Sequence, residues 1–123
     1  MNDATIVFRQ IHPSFVQAGL PTSQAFRPTS KDEFKLSVYD GDLISPENAF
    51  QHYVNQLNLA SVGVMGLAVT ECTAVSLAVY SDPNRFSEHA LIDFSGLLDK
   101  YCRTKSKLLR DKAVQRGWLH RDS

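Results

Sequence analysis

A chain of 123 residues with thirteen basic and thirteen acidic side chains, 43% hydrophobic and 21% charged, has the size of one domain and a composition far from that of chains that stay disordered. No apolar run approaches the roughly 20 residues of a spanning helix; the longest weakly polar one, Leu59 to Val69, contains two glycines. The opening residues Met1-Asn2-Asp3-Ala4-Thr5 have no basic stretch leading into an apolar core, so a secretory signal is not expected and the expectation is a soluble, cytoplasmic protein without membrane partners.

Thr5 to Ile11 is rich in β-branched and aromatic residues and stops before Pro13, which predicts a first strand with Arg9 and His12 at its end. Gly19 to Glu33 has two prolines, several hydroxyl residues and no apolar periodicity, the pattern of a long loop. Phe34 to Asp40 alternates Phe34, Leu36 and Val38 against Lys35, Ser37 and Tyr39, a strand with one buried face, and Asp40-Gly41 supplies a turn that tolerates positive φ.

Ser45 as N-cap, Pro46 at the first helical position and Glu47 near the positive helix end mark a helix start. Phe50, Tyr53, Val54 and Leu57 then form one apolar stripe, with Asn58 as the end. Two apolar runs, Val62 to Cys72 and Ala74 to Ser81, predict a tight hairpin in the sheet centre, with Gly63 and Gly66 marking close approach of neighbouring chain. After the turn Asp82-Pro83-Asn84, Glu88 to Phe94 alternates again, with Ala90, Ile92 and Phe94 on one face and His89, Leu91 and Asp93 on the other. From Leu97 the spacing becomes helical and ends at Gly117, a C′ glycine, with Trp118 folding back on the last turn.

These elements predict one α+β domain over residues 1–123, with about five mostly antiparallel strands, two main helices packed on one face and a basic helical segment from about residue 97. Charge is divided unevenly: residues 1–96 hold five basic and ten acidic side chains, residues 97–123 eight and three. Lys100, Arg103, Lys105, Lys107, Arg110, Lys112 and Arg116 spread around the last helix, so nucleic-acid binding is one reading and a solvated face the simpler one.

Cys72 and Cys102 lie far apart without a Cys-x-x-Cys spacing and are read as reduced, packed thiols. His12, His52, His89 and His120 show no ligand spacing, so neither a metal nor another cofactor is expected. His12-Pro13-Ser14-Phe15 has the His-x-Ser/Thr-x form that two-histidine phosphoesterases carry twice, but His89-Ala90-Leu91-Ile92 lacks the hydroxyl of a second copy. Two imidazoles can still share acid and base roles, which makes His12 and His89 the catalytic candidates. Arg9, Arg27 and Tyr39 are the candidates for holding phosphate or nucleotide; with His12, Ser23 and Glu71 they also form the kind of set that ADP-ribosyl transfer uses.

The absence of a phosphate loop or nucleophile elbow favours a different first expectation, a non-enzymatic module that binds another protein or its own copy, with Trp118 and Leu119 as anchors. The alternatives are a small enzyme acting on a nucleotide or nucleic-acid phosphodiester and a nucleic-acid-binding protein.

Overall fold

The computed structural model describes residues 1–122. The chain runs through β1 (Ile6–Gln10), a short ribbon of β2 (Val16–Gln17) and β3 (Leu20–Pro21), β4 (Lys35–Asp40), α1 (Pro46–Gln51), β5 (Gly63–Ala68), α2 (Val69–Thr73), β6 (Ala78–Ser81), β7 (His89–Asp93), α3 (Asp99–Arg116) and β8 (Trp118–Arg121). Six strands form one antiparallel sheet in the order β6-β7-β4-β1-β5-β8. The α+β class and antiparallel sheet are as expected. The sheet gains a sixth strand because the chain, after turning at Gly117 (φ +88°), extends as β8 along β5.

Ser45 caps α1 by accepting from the amide of Asn48 at 3.1 Å, and Pro46 opens the helix, as its lack of an amide hydrogen permits. Beyond Gln51 the helix widens into a π-turn over His52–Gln56, closed by the Leu57 amide on the His52 carbonyl. Such a turn inserts an extra residue and re-aims the side chains that follow it.

The expected hairpin between Val62–Cys72 and Ala74–Ser81 does not form. β5 stops at Ala68 because the Glu71 carboxylate accepts from the Ala68 amide at 2.8 Å and starts α2. The chain then crosses to the far edge, so β5 and β6 are not neighbours. At Gly41 the need is for space and not for positive φ, since a Cβ there would lie 2.1 Å from the Ile6 carbonyl oxygen.

The two main helices lie on opposite faces, which corrects the expectation of one helical layer. Val7, Val38, Met65 and Leu67 join the cluster that Cys102, Leu109 and Ala113 of α3 cover. Phe8, Tyr39 and Val64 join the cluster of Ala49 and Phe50 from α1. All six residues of β5 are buried, so the central strands need cover on both sides, and one layer of helices supplies only one. Both cysteines are free and buried. Among the described residues, no helix is long and apolar enough to cross a membrane.

Candidate functional site

The site originates in a gap in the sheet. β1 pairs with β5 along its full length, from Ile6 with Ala68 to Gln10 with Val64, but with β4 only at Val7 and Phe8. Beyond Phe8 the two strands part, and the guanidinium of Arg9 occupies the gap. Its Nη1 donates to the Ser37 carbonyl at 3.0 Å and its Nε to the Ala25 carbonyl at 2.8 Å. Two backbone carbonyls thus fix the planar fork. Burial pulls its pKa below the ordinary arginine value, with Tyr53 and Asp32 acting in the opposite direction. It remains a cation, because an arginine starts so far above neutrality.

A cavity of about 210 Å³ opens at this gap. Arg9, Gln10, Ser37 and Tyr39 form its floor, Tyr53, Leu57 and Leu59 come from the π-turn and the segment after it, and Arg85, Phe86 and His89 come from the β6–β7 turn and the start of β7. Asp32 contributes a carboxylate to the lining. Phe86 sits among three rings, with centroids 5.1 Å from Tyr39, 4.7 Å from His52 and 5.0 Å from His89, which pins the β6–β7 turn onto the sheet.

Tyr39 meets Nδ1 of His52 at 2.7 Å. Burial, reinforced by Tyr53, pushes its phenol far above the ordinary value, so Tyr39 enters the site as a neutral hydroxyl.

His89 is 3% exposed and is held at both ring nitrogens. Nδ1 faces the Asp82 carboxylate at 3.0 Å and the Asp82 carbonyl at 3.2 Å, while Nε2 faces the Ser37 hydroxyl at 3.1 Å. Both partners of Nδ1 are acceptors, so in the neutral ring Nδ1 carries the hydrogen and Nε2 accepts from the Ser37 O–H. The sheet register creates this arrangement: Tyr39 pairs with His89 and Ser37 with Leu91, so Ser37 and His89 are diagonal neighbours on one face. A second, more open hollow of about 350 Å³ shares Ser37, His89, Arg85 and Asp32 with the first.

Arg9, Tyr39 and His89 therefore share one cavity, while His12 and Arg27 do not line it. His12 caps the turn Pro13–Phe15, with Nδ1 accepting from the Ser14 amide at 3.0 Å and lying 2.7 Å from its hydroxyl. Arg27 follows the Ser23–Phe26 turn, which packs against α3 on the opposite side of the sheet. Ser23 lies beside Lys107 and Arg110, and Glu71 is held by Arg116 at 2.8 Å, so neither reaches the cavity.

Trp118 packs half-buried against the α3-side cluster and Leu119 against the α1-side cluster, each by one face of β8. On α3, Lys105 donates to the Val75 carbonyl, Arg110 to Pro21 and Arg116 to Gly66, and Arg103 pairs with Asp99. Much of the basic helix is thereby tied to its own chain. Among the described residues no group of three or more side chains stands ready to hold a metal ion.

Sequence reasoning misses Ser37, Tyr53, Asp82, Arg85 and Phe86 as site residues. The one available signal is the alternation that puts Ser37 on the same strand face as Tyr39. No protein-family model, curated protein or solved structure matches this chain.

Proposed function

We propose that the cavity where β1 and β4 part is the active site of a small enzyme acting on a phosphate ester of nucleotide type. One observation carries the reading: Arg9 is fixed by two backbone carbonyls while its Nη2 donates to no group among the described residues, and the residue lines the cavity. A cation already ordered in this way loses little further freedom on gripping an anion, and its flat fork matches two phosphate oxygens. Arg85 at the exposed rim adds a second cation, and the rings of Tyr53 and Phe86 offer flat apolar surface to a base. His89 supplies the acid–base group. His12 and Arg27 have no part in this reading.

Calorimetric titration with adenosine and uridine monophosphates tests it. Binding is expected to weaken at least tenfold in Arg85→Ala, whose exposed position leaves the fold intact, and to vanish in Arg9→Met. Absence of binding to the unaltered protein at millimolar nucleotide overturns the reading.

A second reading, docking of another copy of the chain, draws on a different surface. Leu98, Tyr101 and Leu108 are 63%, 48% and 45% exposed at helical spacing along the start and middle of α3, and self-association needs only one such self-complementary patch. Sedimentation equilibrium is expected to give a dimer that Leu98→Glu with Leu108→Glu dissociates; a monomer at high concentration removes this reading.

A further inference from the structure

We infer that Ser37 is the nucleophile of this site, activated by His89 and oriented through Asp82, and that it attacks the phosphorus of a phosphate diester to form a phosphoseryl intermediate. The inference rests on the reading of the cavity as a phosphate-ester site. It adds the reacting atom and the class of bond.

Three geometric facts support it. First, Asp82 Oδ2, His89 Nδ1, His89 Nε2 and Ser37 Oγ form a continuous chain with steps of 3.0 and 3.1 Å on either side of the ring. The polarity of that chain follows from its acceptors: Nδ1 must donate, so Nε2 is the base and the Ser37 hydroxyl gives up its hydrogen to it. This is the arrangement by which an imidazole raises the nucleophilicity of a serine, and it is recognised by geometry and not by order in the chain.

Second, the relay is buried at its centre and open at its reacting end. His89 is 3% exposed, whereas Ser37 is half-buried and borders both hollows. A phosphate diester has two arms, and a serine between two hollows leaves space for one arm on each side.

Third, the cation is attached to the nucleophile's own peptide. Arg9 Nη1 lies 3.0 Å from the Ser37 carbonyl oxygen, so a phosphate gripped by Arg9 is brought to the residue whose hydroxyl would attack it. Charge building on the non-bridging oxygens during attack is then met by a fixed guanidinium, which needs no rearrangement at the moment of reaction.

The step balances without a further reactant beyond water. Ser37 Oγ forms a bond to phosphorus as its proton passes to His89 Nε2; the bond from phosphorus to the leaving oxygen breaks, and that oxygen takes the proton from His89. Water then attacks the phosphoseryl group, His89 accepts a proton from the water, and Ser37 Oγ departs with that proton restored. Asp82 takes no proton in either step; its carboxylate faces the imidazolium and holds its orientation. Asp82 is a positioning residue in this scheme.

Bis(p-nitrophenyl) phosphate and p-nitrophenyl acetate are the probes, used on the full chain with Ser37→Ala and Asp82→Asn beside it. The expected result is release of nitrophenol from the phosphate diester, a phosphorylated peptide containing Ser37 by mass spectrometry after rapid acid quench, and loss of both in Ser37→Ala. Asp82→Asn is expected to lower kcat about a thousandfold, within the ~10²–10⁴ range of positioned acid–base groups, with KM unchanged. A purely structural role for Asp82 would instead change the melting temperature and leave kcat unaltered.

Turnover of the acetate alone through Ser37 overturns the phosphoryl assignment. Turnover of the diester that survives Ser37→Ala overturns the nucleophile. If the unaltered protein binds nucleoside monophosphates but neither cleaves nor is labelled, this inference fails while the binding cavity stands; if it does not bind them either, the underlying reading fails as well.

Discussion

Arg116, in the last turn of α3, donates to the Glu71 carboxylate at 2.8 Å, and the same carboxylate oxygen accepts from the Ala68 amide at 2.8 Å. One side chain thus stops β5, starts α2 and ties both to α3. Burial pushes the Glu71 pKa upward, but hydrogen bonds from Arg116 and Ala68, together with the charges of Arg116 and Lys112, outweigh it and hold the carboxyl below its ordinary value. A carboxyl depressed in the folded state contributes stability that is complete above its unfolded pKa and is lost as pH falls through the folded one. Glu71→Gln is therefore expected to cost about 1 kcal/mol at pH 7, the size of a charge-assisted bond discounted for solvent. The gap to the unaltered protein should close as pH falls from about 5 to about 3, around and below the ordinary carboxylate range, as urea unfolding at each pH would show.

Arg9→Met leaves the carbonyls of Ala25 and Ser37 without their donor. Water in the cavity can reach one of them, so the expected destabilisation is about 2 kcal/mol, inside the range for an abandoned polar group. The urea midpoint is expected to fall with an unchanged slope.

The glycines give a graded series. A Cβ at Gly41 would lie 2.1 Å from the Ile6 carbonyl oxygen, and one at Gly63 2.6 Å from that of His120, so in both cases backbone must move. At Gly66 the nearest atom, at 2.6 Å, is Cδ1 of the flexible Leu119 side chain, followed by Ile6 Cγ2 at 2.8 Å. Thermal unfolding of the three alanine variants is expected to rank Gly41→Ala lowest, then Gly63→Ala, then Gly66→Ala, with the last losing only about 1–3 kcal/mol as an overpacking change. Loss of β8 protection in Gly63→Ala is the accompanying signature in hydrogen exchange.

Cys72 is fully buried, and burial with the nearby Glu71 charge pushes its thiol up to about 12. Burial likewise raises Cys102, with Asp99 assisting and Arg27 and Lys105 opposing. Thiolate is the reactive form, so neither residue is expected to react with iodoacetamide at pH 8 within an hour in the folded chain. Both should react within minutes in 8 M urea, and intact mass reads the difference.

The parts of the fold legible in the sequence are those whose signals are local. Ser45-Pro46-Glu47 announces α1 through its own cap, and the alternations in Phe34–Asp40 and Glu88–Phe94 match β4 and β7, including the face on which His89 lies. Val69–Thr73 reads as strand because its β-branched residues suit one; its helix depends on Glu71 meeting Arg116, a contact between distant positions. The site divides in the same way. Arg9, Tyr39 and His89 stand out by residue type, but the Ser37–His89–Asp82 chain exists only through the register of β4 with β7, and His12 satisfies a local turn that composition cannot distinguish from catalysis.

The strand order has a further effect, on how the chain finds its shape. In β6-β7-β4-β1-β5-β8 the only neighbours also adjacent along the sequence are β6 and β7; Phe8 must find Gly66, and Leu36 must find Ile92. Each such pairing closes a long loop before it gains any hydrogen bonds, so folding is expected at the slow end for a domain of this size, in milliseconds to seconds. The walls of the cavity belong to segments separated by most of the sequence, from Arg9 to His89. No fragment of the chain that lacks either segment can assemble the site, which comes into being only when the sheet itself does.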